Sequence, residues 1–204
     1  ARLLSPLFTR LMPEVPRGHP AISSMTLNLS ANILGLDNAA TPLGIKAMKD
    51  LQTLNPQPDV ATNAQILFLV LNTSSVTLFP VTILLYRAQM GAADPAAVFI
   101  PILIATSCST LAGLLVTAWV QRIRLRDTVV LGFLGGAFAV LLALVGWFST
   151  LGAEELQRQS SLISNLLIVS LIMLFLVVAH RRAVNVYDTF IEGAKQGFET
   201  AIGI

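Results

Sequence analysis

The sequence predicts an all-α, polytopic membrane protein with re-entrant or broken helices. Three observations predict it. Of 204 residues, 54% are hydrophobic and only 12% are charged, about half the charged share of a soluble domain. The mean hydropathy is +0.74. Apolar runs at 97–119, 128–149 and 162–179 are each long enough to approach or exceed the span of a bilayer. Finally, two further apolar segments, 25–45 and 66–83, are punctuated by polar side chains and by Gly and Pro. A lipid-facing helix does not tolerate that pattern, because hydrocarbon offers no water to satisfy the polar groups. Irregular backbone at membrane depth, buried in protein or lining a cavity, does.

Taken in order, Leu3, Leu4, Leu7, Phe8 and Leu11 share one helical face, and Pro6 restricts that helix to a short or kinked one. It reads as an interfacial helix or the tail of an earlier span. Pro13, Pro16, Gly18 and Pro20 enforce a turn in which His19 is solvated or caps a helix. In the first polar segment, Gly35, Pro42 and Gly44 are expected to break helicity, and 46–54 to form a short surface helix ended at 55–59. The second polar segment, 63–86, is expected to break or kink at Asn72–Ser75 and at Pro80.

The patch Thr106–Thr110 in the next span reads as hydroxyls bonding back to their own helix, and Cys108 within it as a small buried residue. Gly132 and Gly136 match GxxxG and suggest close helix packing. Residues 149–160 read as a loop, and 184–204 as an amphipathic helix with Asp188, Glu192, Lys195 and Glu199 between its apolar positions. The pI near 9.0 comes mainly from short loops and marks topology rather than nucleic-acid binding. The positive-inside rule places 121–127, with Arg122, Arg124 and Arg126, and 180–186 in the cytoplasm. Counting back places 87–95 outside and 46–60 inside, and Arg2, Arg10 and Arg17 draw the opening segment inside too. Residues 21–45 then enter and leave on one face, as a re-entrant hairpin does.

The candidate site residues are the polar groups of the two punctuated segments: Asn28, Ser30, Asn32, Asn38 and Thr41, then Asn72, Thr73, Ser74 and Ser75. All are neutral donors and acceptors, which suits a small neutral hydroxyl-bearing solute better than a phosphate or carboxylate. The same groups would also serve as interhelical polar glue. Asp37 is the one ionisable group in the first segment. It either caps a helix starting near Asn38 or joins a coupling Na+ or H+ site. No cofactor or resident metal is implied. An enzyme is not expected either: HExxH, GxSxG and paired intramembrane carboxylates are absent. No His lies on a neighbouring span to activate Ser30, Ser74 or Ser75.

Two stretches, HPAISSMTLNLSANILGLDNAATPLGIKAMKDLQTLNP and FLVLNTSSVTLFPVTILLYRAQMGAADPAAVFIP, spanning His19 to Pro101, resemble the spore maturation protein A family. The blocks NLSAN, GLDNAATPLG and LNTSS occur in that family's order and spacing, and the likeness runs roughly from Leu3 to Leu115. The resemblance implies a "nucleoside recognition" or Gate domain over 1–182 that lacks its first membrane helices, and a nucleoside as the type of solute. The tail Tyr187–Thr200 resembles the opening of spore maturation protein B, so that 183–204 would start a second half. That pattern implies a piece of an A–B fusion, with a protein B-like half or partner, homo- or hetero-oligomers, and a multi-pass inner-membrane location. Asp37 stands where simpler A proteins usually have Gly. Two functions follow as expectations: binding or transport of a small neutral solute, or a non-transporting assembly role in cell-envelope or spore maturation.

Overall fold

The structure is a computed structural model that describes residues 5–123 and 127–202. Within its helices, the side chains of Ser5, Pro6, Asp37, Asn38 and 196–202 lie outside the described set. Expectations resting on the Asp37 or Asn38 side chain, and on Arg2, Arg124 and Arg126, therefore fall outside the described residues. The described residues form nine α-helices and one 3-10 turn, with no strand among them. They divide into two units, 1–80 with 100–152, and 81–99 with 153–204.

The first unit is organised around a helical hairpin. Helix α2 (Pro20–Ile33) starts with Pro at its first position, and His19 Nδ1 accepts from Ala21 N at 3.3 Å, so His19 is a capping residue. Helix α3 (Asp37–Gln52) returns antiparallel to it, and its far end brings Thr53 Oγ1 to 3.4 Å from His19 Nε2. Both ends of the hairpin thus lie together, as a re-entrant element requires. The tip is the turn Leu34-Gly35-Leu36. There Gly35 takes φ +66°, and Leu36 N donates to Ala31 O at 2.9 Å, a left-handed C-terminal turn that glycine adopts without strain.

Two sequence expectations are corrected here. Pro42 and Gly44 do not break the chain, and 46–54 is not a separate helix, because α3 runs unbroken from Asp37 through both. Pro42 forfeits one backbone bond in the second turn, while Ala40, Ala47 and Leu51 of the same helix are buried. The start of α3 is also fixed one residue earlier than Asn38. Asp37 takes the first helical position, and the cap position belongs to Leu36, which offers no side-chain bond.

Helix α1 (Ser5–Leu11) packs its apolar face into the core: Phe8, Leu11 and Met12 are each at most 2% exposed. They pack with Met25, Leu67 and Phe68 in one apolar cluster. Helix α4 (Asn63–Thr73) opens with a capping box, Thr62 and Gln65 each bonding the other's backbone. It stops at Ser74, and the chain is non-helical until Pro80, as the NTSS cluster and Pro80 predict. Helices α6 (Phe99–Val120) and α7 (Thr128–Ser149) complete this unit. Cys108 on α6 is exposed, not buried, because α6 carries a long outward apolar face. A Cβ added at Gly132, Gly135 or Gly136 would meet nothing within 4 Å, so the GxxxG motif is not packed against another helix among the described residues.

In the second unit, α5 (Val81–Gln89) leads through Gly91 (φ +76°) to the 3-10 turn Pro95–Val98. Arg87 fixes that turn by donating to Pro95 O at 3.1 Å and Asp94 O at 3.3 Å. Helix α8 (Ala153–Arg181) packs on the turn, where Ser160 Oγ donates to Ala96 O at 3.1 Å. Residues 153–160 are helical rather than a loop. Glu154 and Glu155 favour the positive end of the helix dipole, and Glu155 bonds Arg158 and Gln159, both at 2.9 Å. Helix α9 (Val186–Ile202) follows as predicted. Among the described residues, the three segments Pro95–Val120, Thr128–Ser149 and Ala153–Arg181 are long and apolar enough to cross a membrane. Their outward faces carry Trp119, Phe138, Val140, Leu166 and Phe175, a surface that lipid accommodates and water does not.

Two tests follow from the hairpin. Gly35→Ala would set a Cβ 1.8 Å from the Phe79 carbonyl oxygen at a left-handed φ. It should cost about 2–4 kcal/mol in a thermal melt, whereas Gly135→Ala should gain about 0.5–1 kcal/mol in helix propensity. Equal melting of the two variants would refute the close passage of the chain at Gly35. At the hairpin's open end, Asp50 accepts from the buried Ser24 hydroxyl and pairs with Lys46 at 3.1 Å. The Ser24 hydrogen bond, aided by Lys46, holds the Asp50 carboxyl below its usual value against a smaller opposing effect of burial. A depressed carboxylate pKa stabilises fully above its unfolded value near ~4 and loses that contribution as pH falls through the folded value. Asp50→Asn should therefore melt below wild type at pH 7, with the gap closing as the pH is lowered below ~4.

Candidate functional site

The tip of the α2–α3 hairpin meets the non-helical segment 74–80, and that junction carries the polar chemistry of the first unit. Leu78 N donates to Ile33 O at 2.8 Å, joining the end of α2 to the unwound strand. Gly35 lies directly against the Phe79 carbonyl. An unwound segment among apolar helices has backbone groups that need partners, and α6 supplies two of them. Thr106 Oγ1 accepts from Thr77 N at 3.4 Å, and the Thr110 hydroxyl donates to Ser74 O. Thr106 at the same time donates to Ile102 O of its own helix at 2.9 Å, and Thr110 shares its one hydroxyl proton between Ser74 O and Thr106 O, the latter at 2.9 Å. The hydroxyl patch of α6 thus does what its sequence predicts and also holds the break in the α4–α5 connection.

Three carboxamides converge beside this junction. Asn28 and Asn32 stand one turn apart on α2. Asn32 Nδ2 donates to Asn72 Oδ1 at the end of α4, and Asn28 Nδ2 donates to Ala40 O on α3 at 2.8 Å. Gly44 makes the convergence possible: a Cβ there would sit 2.9 Å from Asn28 Nδ2 and 3.4 Å from Asn72 Nδ2. Asn28 is 1% exposed, and its Oδ1 has no hydrogen-bond partner among the described residues. An unpaired buried acceptor costs on the order of 1–3 kcal/mol, so this oxygen is poised to receive a donor or a cation.

The remaining candidates divide. Ser74 Oγ bonds Val70 O at 2.7 Å in the last turn of α4, and Ser75 is half-buried at the start of the break. Thr73 is exposed and turns back to Leu69 O and Val70 O. Ser30 lies about 200° round α2 from Asn28, off the face that carries Asn28 and Asn32, and Thr41 is exposed on α3. The structure therefore brings Asn28, Asn32 and Asn72 together, sets Ser74 and Ser75 in the adjoining helix end and unwound segment, and leaves Ser30, Thr41 and Thr73 aside. Gly44, Thr106 and Thr110 join the site without having been singled out for it from sequence. Gly44 was legible only as a helix breaker, because its role depends on which side chains face it.

A cavity of about 480 Å³ adjoins the unwound segment, within the range of small-molecule sites. Its wall is apolar, formed by Leu29, Ile33, Leu71, Val76, Leu78 and Leu111 among others, with Ser75, Ser107 and Thr110 as its polar members. The three carboxamides do not line it. The junction thus combines a neutral hydrogen-bonding cluster with a separate apolar chamber, and Ser75 and Thr110 connect the chamber to the unwound backbone.

No protein-family model matches the chain, and no solved structure does. Among curated proteins, spore maturation protein A of Bacillus subtilis (strain 168) is 38% identical over 116 residues. That alignment takes in 57% of this chain and 59% of the relative, so the chain spans about three fifths of the protein it matches. Over that stretch, this all-helical chain is similar to spore maturation protein A.

Proposed function

We propose that the junction of the hairpin tip and the unwound segment is the binding site of a membrane protein for a small neutral solute, with a nucleoside as the first solute class to test. The observation that carries this reading is the buried, unpartnered Asn28 Oδ1 beside Asn32 and Asn72, where two interrupted elements cross. Interrupted helices expose backbone donors and acceptors at membrane depth, and that is the usual architecture of a transporter site. The neutral groups present favour hydrogen bonding over charge recognition, and the adjoining chamber would take an apolar or aromatic moiety. A Na+ ion or a proton remains the natural coupling partner for such a site, with Asn28 Oδ1 as one oxygen ligand. A second reading has one observation in its favour. Asn32 and Asn72 bond one another and do not face the chamber, as polar glue in an assembly protein of envelope or spore maturation would. The relative's name, spore maturation protein A, fits that reading.

Thermal stability of the purified chain in detergent, with nucleosides, nucleobases, small polyols and Na+ added in turn, separates the two. A ligand that binds only the folded state raises its stability in proportion to its excess over Kd. On the solute reading one ligand raises the melting temperature, and Asn32→Ala or Asn72→Ala weakens its binding about tenfold while the variants still fold and assemble. On the assembly reading no ligand shifts the melt, and the same variants lose yield or assembly first.

A further inference from the structure

The cleft where α6 ends and α7 begins has chemistry that the hairpin junction does not use. It encloses about 1260 Å³ between the turn after α1, the first residues of α4, residues 118–123 at the end of α6 and Asp127. The spans it joins stop at Val120 and resume at Thr128, so the cleft sits where hydrocarbon gives way to headgroups. Among the described residues, three guanidinium groups, Arg10, Arg17 and Arg122, line it together with two carboxylates, Glu14 and Asp127. Both carboxylates are already engaged. Asp127 pairs with Arg10 at 2.9 Å and caps α7 through Val129 N at 3.0 Å, while Glu14 accepts from Ala64 N at the start of α4. Arg17 and Arg122 are exposed and have no ion-pair partner among the described residues.

The backbone adds a second observation. Arg122 holds φ +53° in the turn that closes α6, with Ile123 N bonded to Ala118 O at 2.9 Å. Glycine occupies such a position without strain, so Arg122 is kept there at a small backbone cost, as Ala183 is at φ +52° in the turn after α8. The turn sets the Arg122 guanidinium on the cleft wall. Beside it, Trp119 is 81% exposed, and an exposed indole at the end of an apolar span belongs at the membrane interface.

We propose that this cleft seats the phosphate of an anionic phospholipid, with Arg17 and Arg122 on the phosphate oxygens and Trp119 along the glycerol and upper acyl region. Guanidinium groups match phosphate oxygens with paired N–H donors. Asp127 is neutralised by Arg10, and the charge of Glu14, which accepts only from a backbone N–H, is outnumbered by Arg17 and Arg122. The depth of the cleft and the exposed Trp119 favour a lipid headgroup over a free anion. The lipid site does not depend on whether the hairpin junction binds a solute.

The test is a melt of the purified full chain in an uncharged maltoside detergent, with added phosphatidylglycerol, with phosphatidylcholine of the same acyl chains, or with inorganic phosphate. Phosphatidylglycerol should raise the melting temperature by about 5 °C, and the other two by no more than ~1 °C. Arg122→Gly should melt at or above wild type without lipid, because the turn accepts glycine, yet lose most of the phosphatidylglycerol shift. Arg17→Gln should also lose most of it. Arg158→Gln, which changes an exposed arginine of the second unit, should keep it. Equal shifts with the two lipids, or a full shift retained when Arg17→Gln and Arg122→Gly are combined, overturn the proposal. A full shift with inorganic phosphate alone overturns the lipid assignment in favour of a free-anion site.

Discussion

The first unit depends on one constraint: two interrupted backbones cross among apolar helices, and every freed N–H and C=O there needs a partner. The crossing is at Gly35 and Phe79, and no side chain fits between them. Leu78 N reaches Ile33 O, Thr106 receives Thr77 N, and Thr110 covers Ser74 O. Each bond is worth only about 1 kcal/mol net, but leaving the same group unpaired in a dry interior costs more. The arrangement therefore stands as a set, because losing one partner exposes a buried polar group rather than merely weakening a contact.

The same constraint explains the division of labour between the hydroxyls and the carboxamides. Thr106 on α6 accepts from the break while donating to its own helix, and Thr110 shares one proton between the break and its own helix, so neither leaves a donor idle. Carboxamides carry more capacity than their neighbours use. Asn28 spends its amide on Ala40 O and leaves its oxygen unpaired. A polar cluster built only as glue gains by saturating every atom. Spare acceptor capacity at a buried crossing is the feature that distinguishes a site from a joint, and it is the physical reason the solute reading is preferred.

The sequence disclosed the elements better than their partners. Gly35 and the Asn72–Ser75 and Pro80 signals mark the two real breaks, because a left-handed turn and a helix end are local events. Pro42 and Gly44 carry the same local signals but sit inside α3, because burial of Ala40, Ala47 and Leu51 and the room left for Asn28 and Asn72 outweigh them. Helical period alone separates Ser30 from Asn28. Whether Thr41 and Thr73 face a partner depends on packing that no single segment encodes. The extension of α8 back to Ala153 was masked by its acidic start, which reads as a loop until Arg158 and Gln159 are seen to bond Glu155 from the next turn.

Charge near the membrane surface follows a different logic from polarity in its interior. At the hairpin junction every described side chain is neutral, since an unpaired ion there would forfeit its hydration. At the open end of the hairpin, Asp50 pairs with Lys46 while drawing on the buried Ser24 hydroxyl. In the α6–α7 cleft, Arg10 and Asp127 neutralise one another, and Glu14 is spent on the start of α4. What remains among the described residues is two arginines against the one unneutralised carboxylate of Glu14, on a wall that ends in an exposed indole. Exposed arginines far from any ligand cost little and mean little. Arg122 differs in being held at φ +53° in the turn that closes α6, which fixes its guanidinium on the cleft wall beside Trp119 at a small backbone cost.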